Sequence, residues 1–358
     1  MPDELTLLEE LVAIPSVSGE EAAVAAFVEE RARTWGLEAV RDDTSVRIEV
    51  RGGRPGPTLA LVSHLDVVPP GAGWTRDPFT PVIEGDRLYG RGSGDAKASV
   101  AAMVTTAKDL AEGPALERGR LLVILGYGEE TRHTTMERAV ERAGSIDAAV
   151  VGEPTNLHIA TAQRGLMMVD LVARGDQRHA GYAAADGEFV NAVLVLARDL
   201  LRLEELFQDR AHPVLGRTTA TATMLDAGVS RNVTPPVATA ILDVRSTPDW
   251  THEEIADLLR QRLDSEVVVT SRRLVPCETP AGSRLLAAAC RARPDAAQFG
   301  SPTCSDWVFL RHADAIKAGP GTSRRSHTPD EYVDLPEVTA ARGFYAGLAR
   351  EYLTGLDT

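Results

Sequence analysis

Leu121-Leu-Val-Ile-Leu-Gly-Tyr-Gly-Glu129-Glu130 decides how the rest of the chain is read. A run of apolar residues reads as a buried strand, and this one is expected to end in two adjacent carboxylates. Like charges side by side raise the cost of burial. Packing gives no reason for such an ending, whereas a metal ion would remove the cost. The test is whether other strands also end in metal-ligand residue types.

They do. Thr58 to Ser63 is an apolar strand that runs into His64-Leu-Asp66, and Ala148 to Val151 is another that runs into Gly152-Glu153-Pro154-Thr155. The glycine-rich loop Gly90-Arg-Gly-Ser-Gly-Asp95 leads into a helix from Lys97 to about Leu110. Helices are expected over Glu4 to Ile14, Glu20 to Trp35 and Thr135 to Arg142, with Ser18 and Glu21 as a capping box for the second. Val46 to Val50 is a short strand, Gly52 to Pro57 a turn, and Val67 to Pro81 a loop. Strands alternating with helices imply a largely parallel sheet covered on both faces. In such sheets functional groups collect at the carboxyl ends of the strands.

The pattern changes near Gly165. Strands over Leu166 to Ala173, Thr218 to Leu225, Val237 to Val244 and Glu266 to Thr270 are interleaved with helices over Phe189 to Leu206 and Glu253 to Leu263. This β-α-β-β-α-β order predicts a ferredoxin-like α+β module inserted in an α/β domain. The expected division is 1–164 and 273–358 for the α/β domain, built on a mostly parallel mixed sheet, and 165–272 for the insert. Ser283 to Arg291 and Leu335 to Leu353 read as helices, with a short extended piece over Ala315 to Ala318.

A length of 358 residues is more than one ordinary core holds. The balance of 38 basic and 52 acidic residues, net −14, argues against nucleic acid or an anionic membrane as partner. Cys277, Cys290 and Cys304 are odd in number and lack C-x-x-C spacing, so they read as reduced cytosolic thiols. The acidic N-terminus lacks the basic region of a signal peptide, and no apolar run approaches the ~20 residues of a membrane span.

His64, Asp95, Glu130, Glu153 and His327 are of the residue types that bind zinc. Taken singly, His64 reads as a structural histidine, Asp95 as a turn residue and Glu153 as solvated loop. The glycine-rich loop lacks the spacing of a phosphate cradle. Jointly they suit two metals that share one carboxylate. Such a pair, roughly 3.5–4 Å apart, can activate a water and polarise a carbonyl. Glu129 is free to take the water's proton, and Asp66 is placed to orient the His64 ring. His133, His158, His212, His252 and His312 have no matching context.

His64-Leu-Asp66-Val-Val-Pro69, Gly90 to Lys97, Gly128-Glu129-Glu130, Gly152 to Thr155 and His327-Thr-Pro-Asp-Glu331 resemble, in order, the motifs of the M20 metallopeptidase family. The resemblance implies a zinc-exopeptidase-like fold with two zinc ions per subunit, for which cobalt substitutes. His64 and Glu153 would bind one metal, Glu130 and His327 the other, with Asp95 bridging. Glu129 would be general base and then acid, and Asp66 would orient His64. The insert would be a lid and dimerisation domain, giving a homodimer in the cytoplasm. His179, in His179-Ala-Gly-Tyr182, would stabilise the oxyanion. Arg164, Asn232, Arg245, Gly319 and Gly321 would contact a small N-acyl amino acid substrate.

Some positions depart from the family pattern. Asp176-Gln-Arg178 precedes His179, Ala98 follows Lys97, Cys304 stands where Thr is usual, and Arg132 and His133 follow the glutamates. Within the family, the motifs around Glu153 and Arg164 look most like those of acetylornithine deacetylases, and that resemblance implies N-acetylornithine, a substrate of arginine biosynthesis, as first candidate. N-succinyl-diaminopimelate, N-acetylcitrulline and carrier-linked lysine or ornithine are the alternatives, followed by a dipeptide or carboxypeptidase substrate. A catalytically silent binding protein and a nucleotide-binding protein using the Gly90–Asp95 loop are the rivals from other classes.

Overall fold

A computed structural model describes residues 1–131, 133–183 and 189–354. From the N-terminus come α1 (Asp3–Val12), α2 (Ala22–Thr34), β1 (Glu38–Arg41), β2 (Ser45–Arg51) and β3 (Arg54–His64). Next are β4 (Val82–Glu84), β5 (Arg87–Tyr89), α3 (Lys97–Glu112), β6 (Arg118–Gly126), α4 (Thr135–Ala143) and β7 (Ala148–Val151). They are followed by β8 (Ile159–Gln163), β9 (Gly165–Arg174), α5 (Ala180–Ala183), α6 (Ala192–Arg202), β10 (Thr219–Ala227), β11 (Val237–Ser246), α7 (His252–Arg262) and β12 (Glu266–Leu274). The chain closes with β13 (Cys277–Glu278), α8 (Arg284–Ala292), β14 (Gln298–Ser301), β15 (Asp314–Lys317), β16 (Tyr332–Asp334) and α9 (Leu335–Thr354).

Two compact units result. One holds Met1–Thr161, Glu278–Phe299 and Ser305–Thr358; the other holds Ala162–Cys277 and Gly300–Cys304. The large sheet runs β1-β2-β6-β3-β7-β15-β8-β13, with β14 beside β8. Its centre, β6-β3-β7-β15, is parallel, and β2 and β8 join antiparallel on either side. This is the mainly parallel mixed sheet expected from the alternation of strands and helices. Leu59, Leu61, Leu121, Val123 and Val150 are fully buried in its core. Helix α3 is buried along most of its length, since Ala98, Ala101, Ala102 and Ala107 let neighbouring elements approach closely.

The second unit is a four-stranded antiparallel sheet, β10-β11-β9-β12. Numbered within the insert, the strands lie in the order 2-3-1-4, so the ferredoxin-like expectation holds. Met167, Val169, Leu171 and Ala173 alternate along β9 and pack with Leu196 of α6 and Ile255 and Leu259 of α7. A third, small sheet, β16-β5-β4, belongs to the first unit.

Several local expectations fail for identifiable reasons. The stretch from Gly52 to Pro57 is not all turn: β3 already begins at Arg54, and a register shift between Arg54 and Thr58 absorbs the prolines. Ser18 and Glu21 form no capping box, because the Ser18 hydroxyl donates to Asp66 and Glu21 accepts from Gly19 and Gly128 N–H groups. The helix predicted from Phe189 starts only after Asn191, whose side chain caps Val193 and Leu194. β6 ends at Gly126, three residues before the glutamates. The short strands β1, β4, β8, β14 and β16 were not anticipated, being too brief for a periodicity.

Candidate metal centre

Register places the candidate ligands. His64, the last residue of β3, pairs with Gly126 of β6, and Val62 pairs with Val151 of β7. Glu153, two residues beyond Val151, therefore stands level with His64. Beyond Gly126 the chain turns through Gly128 at φ +66°, and the N–H groups of Glu129 and Glu130 donate to Asp66 Oδ1 and Oδ2 at 3.0 and 3.1 Å. One side chain thus fixes both glutamates.

Asp66 also accepts from the Ser18 hydroxyl at 2.7 Å. His64 Nδ1 lies 3.0 Å from the Asp66 backbone oxygen and 3.4 Å from Oδ1. Burial alone would raise the Asp66 carboxyl; the imidazole, the Ser18 hydroxyl and the Glu130 N–H hold it down to about 2. It is an acceptor for everything around it.

Asp95 is delivered by the glycine-rich loop, and the reason the loop holds its shape is Glu331. Pairing of Tyr332 with Tyr89 brings β16 against β5. The Glu331 carboxylate accepts from Gly92 N–H (3.1 Å), from Gly94 and Asp95 N–H (both 3.0 Å) and from Arg91 Nη1 (2.6 Å). Both Arg91 and Glu331 are about 1% exposed. The loop N–H groups that would cradle a phosphate already have an internal carboxylate. The nucleotide-binding rival loses its site.

The two oxygens of Asp95 face different histidines. Oδ1 is 3.4 Å from His64 Nε2, and Oδ2 is 3.7 Å from His327 Nε2. On the His64 side Glu153 Oε1 is 3.9 Å away; on the His327 side Glu130 Oε2 is 2.9 Å away. Of the five ligand candidates, His64, Asp95 and Glu130 bring ligand atoms within 4.8 Å of one another. His64 Nε2 is buried and makes no hydrogen bond among the described residues. An orphaned nitrogen ringed by carboxylates that repel one another fits divalent cations, and two candidate metal-binding groups are present. Burial and the Asp95 charge push the Glu153 carboxyl up to about 8. Burial and the Glu153 charge push Glu129 well above the usual carboxylate range.

Gly319 and Gly321, expected to touch substrate, lie in the backbone that supports Glu153. Gly319 O accepts from the N–H groups of Thr155 and Leu157, and a Cβ on Gly319 would stand 2.6 Å from Glu153 O. Gly321, at φ +81°, donates its N–H to Glu337. In the second unit, Arg164 donates to Leu215 O and Arg245 O, while Arg245 forms a two-pronged pair with Asp243. His179 is exposed, and its Nδ1 accepts the Gly181 N–H at 3.1 Å. Asn232 O accepts the Ala180 N–H.

A second cluster was missed: Glu129, His133 and Asp306 bring ligand-type atoms within 4.8 Å of one another. His133, set aside for want of context, lies 3.0 Å from Asp306. Arg132 lies outside the described residues. Three of the other histidines have partners away from the candidate ligands: His158 accepts from Ala297 N–H, His212 from Leu215 N–H, and His252 bridges Ser246 and Arg272 O. Glu331 was visible in the His327–Glu331 motif, but nothing in the sequence says that it faces Arg91. Among the described residues, no helix is long and apolar enough to cross a membrane.

Comparison with known proteins agrees with this architecture. Over 377 aligned residues the chain is 28% identical to a succinyl-diaminopimelate desuccinylase of Xanthomonas campestris, covering 98% of this chain and 99% of the relative. A desuccinylase of Rhizorhabdus wittichii is 29% identical over 99% of both. An aminopeptidase of Bacillus cereus shares the fold at TM-score 0.81 with 19% identity, covering 98% of each chain. An M20 metallo-carboxypeptidase of Sulfolobus solfataricus does so at 0.77 with 20% identity, covering 99% of this chain and all of the other. The model of peptidase family M20/M25/M40 matches residues 60–351, the span that carries every ligand candidate. The chain belongs to that family and is a metallohydrolase of amide bonds.

Proposed function

We propose that the protein is a dinuclear zinc-dependent hydrolase that removes an N-acyl group from an amino acid, with N-succinyl-diaminopimelate as first candidate. The observation that carries the metal assignment is Asp95, which turns one oxygen to His64 and the other to His327. Zinc or cobalt ions held by His64, Asp95 and Glu153 and by Asp95, Glu130 and His327 would polarise the amide carbonyl and acidify water.

The chain's own residues do the rest. Glu129 takes a proton from the attacking water, and its raised affinity for that proton keeps it until the leaving nitrogen accepts it. Asp66 holds Glu129 and Glu130 through their N–H groups. His179 donates from Nε2 to the oxyanion; this follows from its Nδ1 accepting the Gly181 N–H, which leaves the ring hydrogen on Nε2. Arg164, Asn232 and Arg245 hold substrate carboxylates, and Gly319 and Gly321 shape the backbone beside Glu153. The second unit acts as lid and dimerisation module of a cytoplasmic homodimer.

N-succinyl-diaminopimelate moves ahead of N-acetylornithine because the full-length curated relatives are desuccinylases. With it, arginine biosynthesis recedes as the setting. Hydrolysis of N-succinyl-diaminopimelate, N-acetylornithine, N-acetylcitrulline and a dipeptide, with and without added zinc or cobalt, tests the reading. The succinylated substrate is expected to turn over fastest and only with metal. A metal-loaded enzyme that hydrolyses none of the four refutes it and revives the catalytically silent reading.

A further inference from the structure

Glu129 and His133 share one closed turn. The His133 N–H donates to Gly128 O at 3.0 Å, so the chain returns on itself across the paired glutamates. His133 holds φ +47°, in the left-handed region. Its Nδ1 lies 3.0 Å from Asp306 Oδ1 and 3.7 Å from Glu129 Oε1. Asp306 arrives from 173 residues downstream, as the buried first residue of the 3-10 turn Asp306–Leu310.

The atom hydrogen-bonded to Nδ1 is the Asp306 carboxylate oxygen, which accepts. The ring hydrogen therefore belongs on Nδ1. Asp306, buried and nearer, orients the imidazole; Glu129 Oε1, at 3.7 Å, is beyond hydrogen-bond reach and meets the Nδ1 edge through electrostatic attraction alone. We propose that His133, held by Asp306, is a positioning residue for Glu129: it restrains Oε1 and leaves Oε2 to take and return the proton. Without it, two buried carboxylates face each other, and Glu129 turns away from Asp306 to a rotamer of its own. The inference rests on the reading of Glu129 as proton carrier.

Two variants separate positioning from folding. His133→Gly deletes the ring at a backbone angle that glycine adopts freely, and His133→Asn returns an N–H near the place of Nδ1 at an angle that Asn tolerates. His133→Gly is expected to lower kcat by ~10–100-fold, with KM within about twofold and metal content unchanged, and His133→Asn to recover most of the loss. Unchanged kcat in His133→Gly, or a loss shared by kcat, KM and metal content that Asn does not relieve, overturns the proposal.

A second measurement does not depend on turnover. In protein with ¹⁵N-labelled imidazoles, the His133 signal, identified by its loss in His133→Gly, should carry its hydrogen on Nδ1 and shift in both Glu129→Gln and Asp306→Asn. A hydrogen on Nε2, or a signal indifferent to Glu129→Gln, overturns the proposal whatever the substrate is. A wild type inactive on every N-acyl amino acid would instead sink the hydrolase reading, with the imidazole signal still deciding the pair.

Discussion

Glu331→Gln is the most informative single change outside the ligand set. Glu331 accepts four hydrogen bonds: Oε1 takes Gly94 and Asp95 N–H, and Oε2 takes Gly92 N–H and Arg91 Nη1. An amide keeps one oxygen, so two of the four contacts survive and two donors come to face an NH₂ group. Hydrogen bonds to a charged group are worth ~1.5–3 kcal/mol each, so two lost contacts cost ~3–6 kcal/mol. Removing one partner of a buried ion pair costs ~3–5 kcal/mol. These are two views of one loss and do not add. About 4 kcal/mol is a large share of a total stability of ~5–15 kcal/mol. At ~2–4 °C per kcal/mol for a domain of this size, the melting temperature should fall by ~8–16 °C. Because Asp95 hangs on the same loop, metal affinity should fall by ~10–100-fold. Calorimetry on the metal-free protein and competition with a chromophoric chelator read the two effects separately. Adding Arg91→Met, which removes the stranded guanidinium, should restore part of the stability and none of the metal affinity. A Glu331→Gln protein with the wild-type melting temperature and metal affinity refutes the view that this carboxylate organises the loop.

Three further outcomes are expected. Glu129→Gln should retain metal and lose ~10²–10⁴-fold in kcat; full turnover with metal bound would remove Glu129 from the chemistry. Gly319→Ala puts a Cβ 2.6 Å from Glu153 O and 2.5 Å from Ser99 Oγ; such overpacking should cost ~1–3 kcal/mol and weaken metal binding, measured by denaturant unfolding and chelator competition. Lys97 is buried, with its Nζ donating to Leu11 O and Ile14 O, and burial pulls its pKa down to about 7 from 10.5. Between those values the unfolded chain holds a proton that the folded chain has released, so wild-type stability should rise with pH. Relative to Lys97→Met the gain should approach ~1.4 kcal/mol per pH unit between pH 7 and 10.5. Urea midpoints at pH 7, 8 and 9 that run parallel in the two proteins would show that Lys97 does not titrate there.

The legible part of the site was the part that each strand end carries by itself. His64, Glu153 and the paired glutamates follow within a few residues of apolar runs, and a run of that kind predicts burial, strand and parallel neighbours together. The ferredoxin-like order was legible for the same reason, since β9 and β11 alternate residue by residue. What escaped were contacts that only the folded chain creates. Glu331 meets Arg91 across 240 residues, and His133 meets Asp306 across 173. Neither pair has a local signature. Ser18 shows the opposite error: its local pattern fits a cap, but Asp66, 48 residues away, is the partner it takes. The paired glutamates were assigned to a strand end when a turn at Gly126–Gly128 intervenes, and that turn is what lets Asp66 reach both N–H groups.

The Arg91–Glu331 latch also sets a clock. During synthesis from the N-terminus, the loop from Gly90 to Asp95 emerges long before its acceptor. Until residue 331 is made, its N–H groups can only bind water, and His327 is likewise missing. Helix α3 and strands β3, β6 and β7 can gather early, because their contacts are closer in sequence and cost less chain entropy to close. The centre itself is completed only when the segment from His327 to Glu331 folds back, so a ribosome-bound chain that stops short of it should carry the sheet but bind metal poorly.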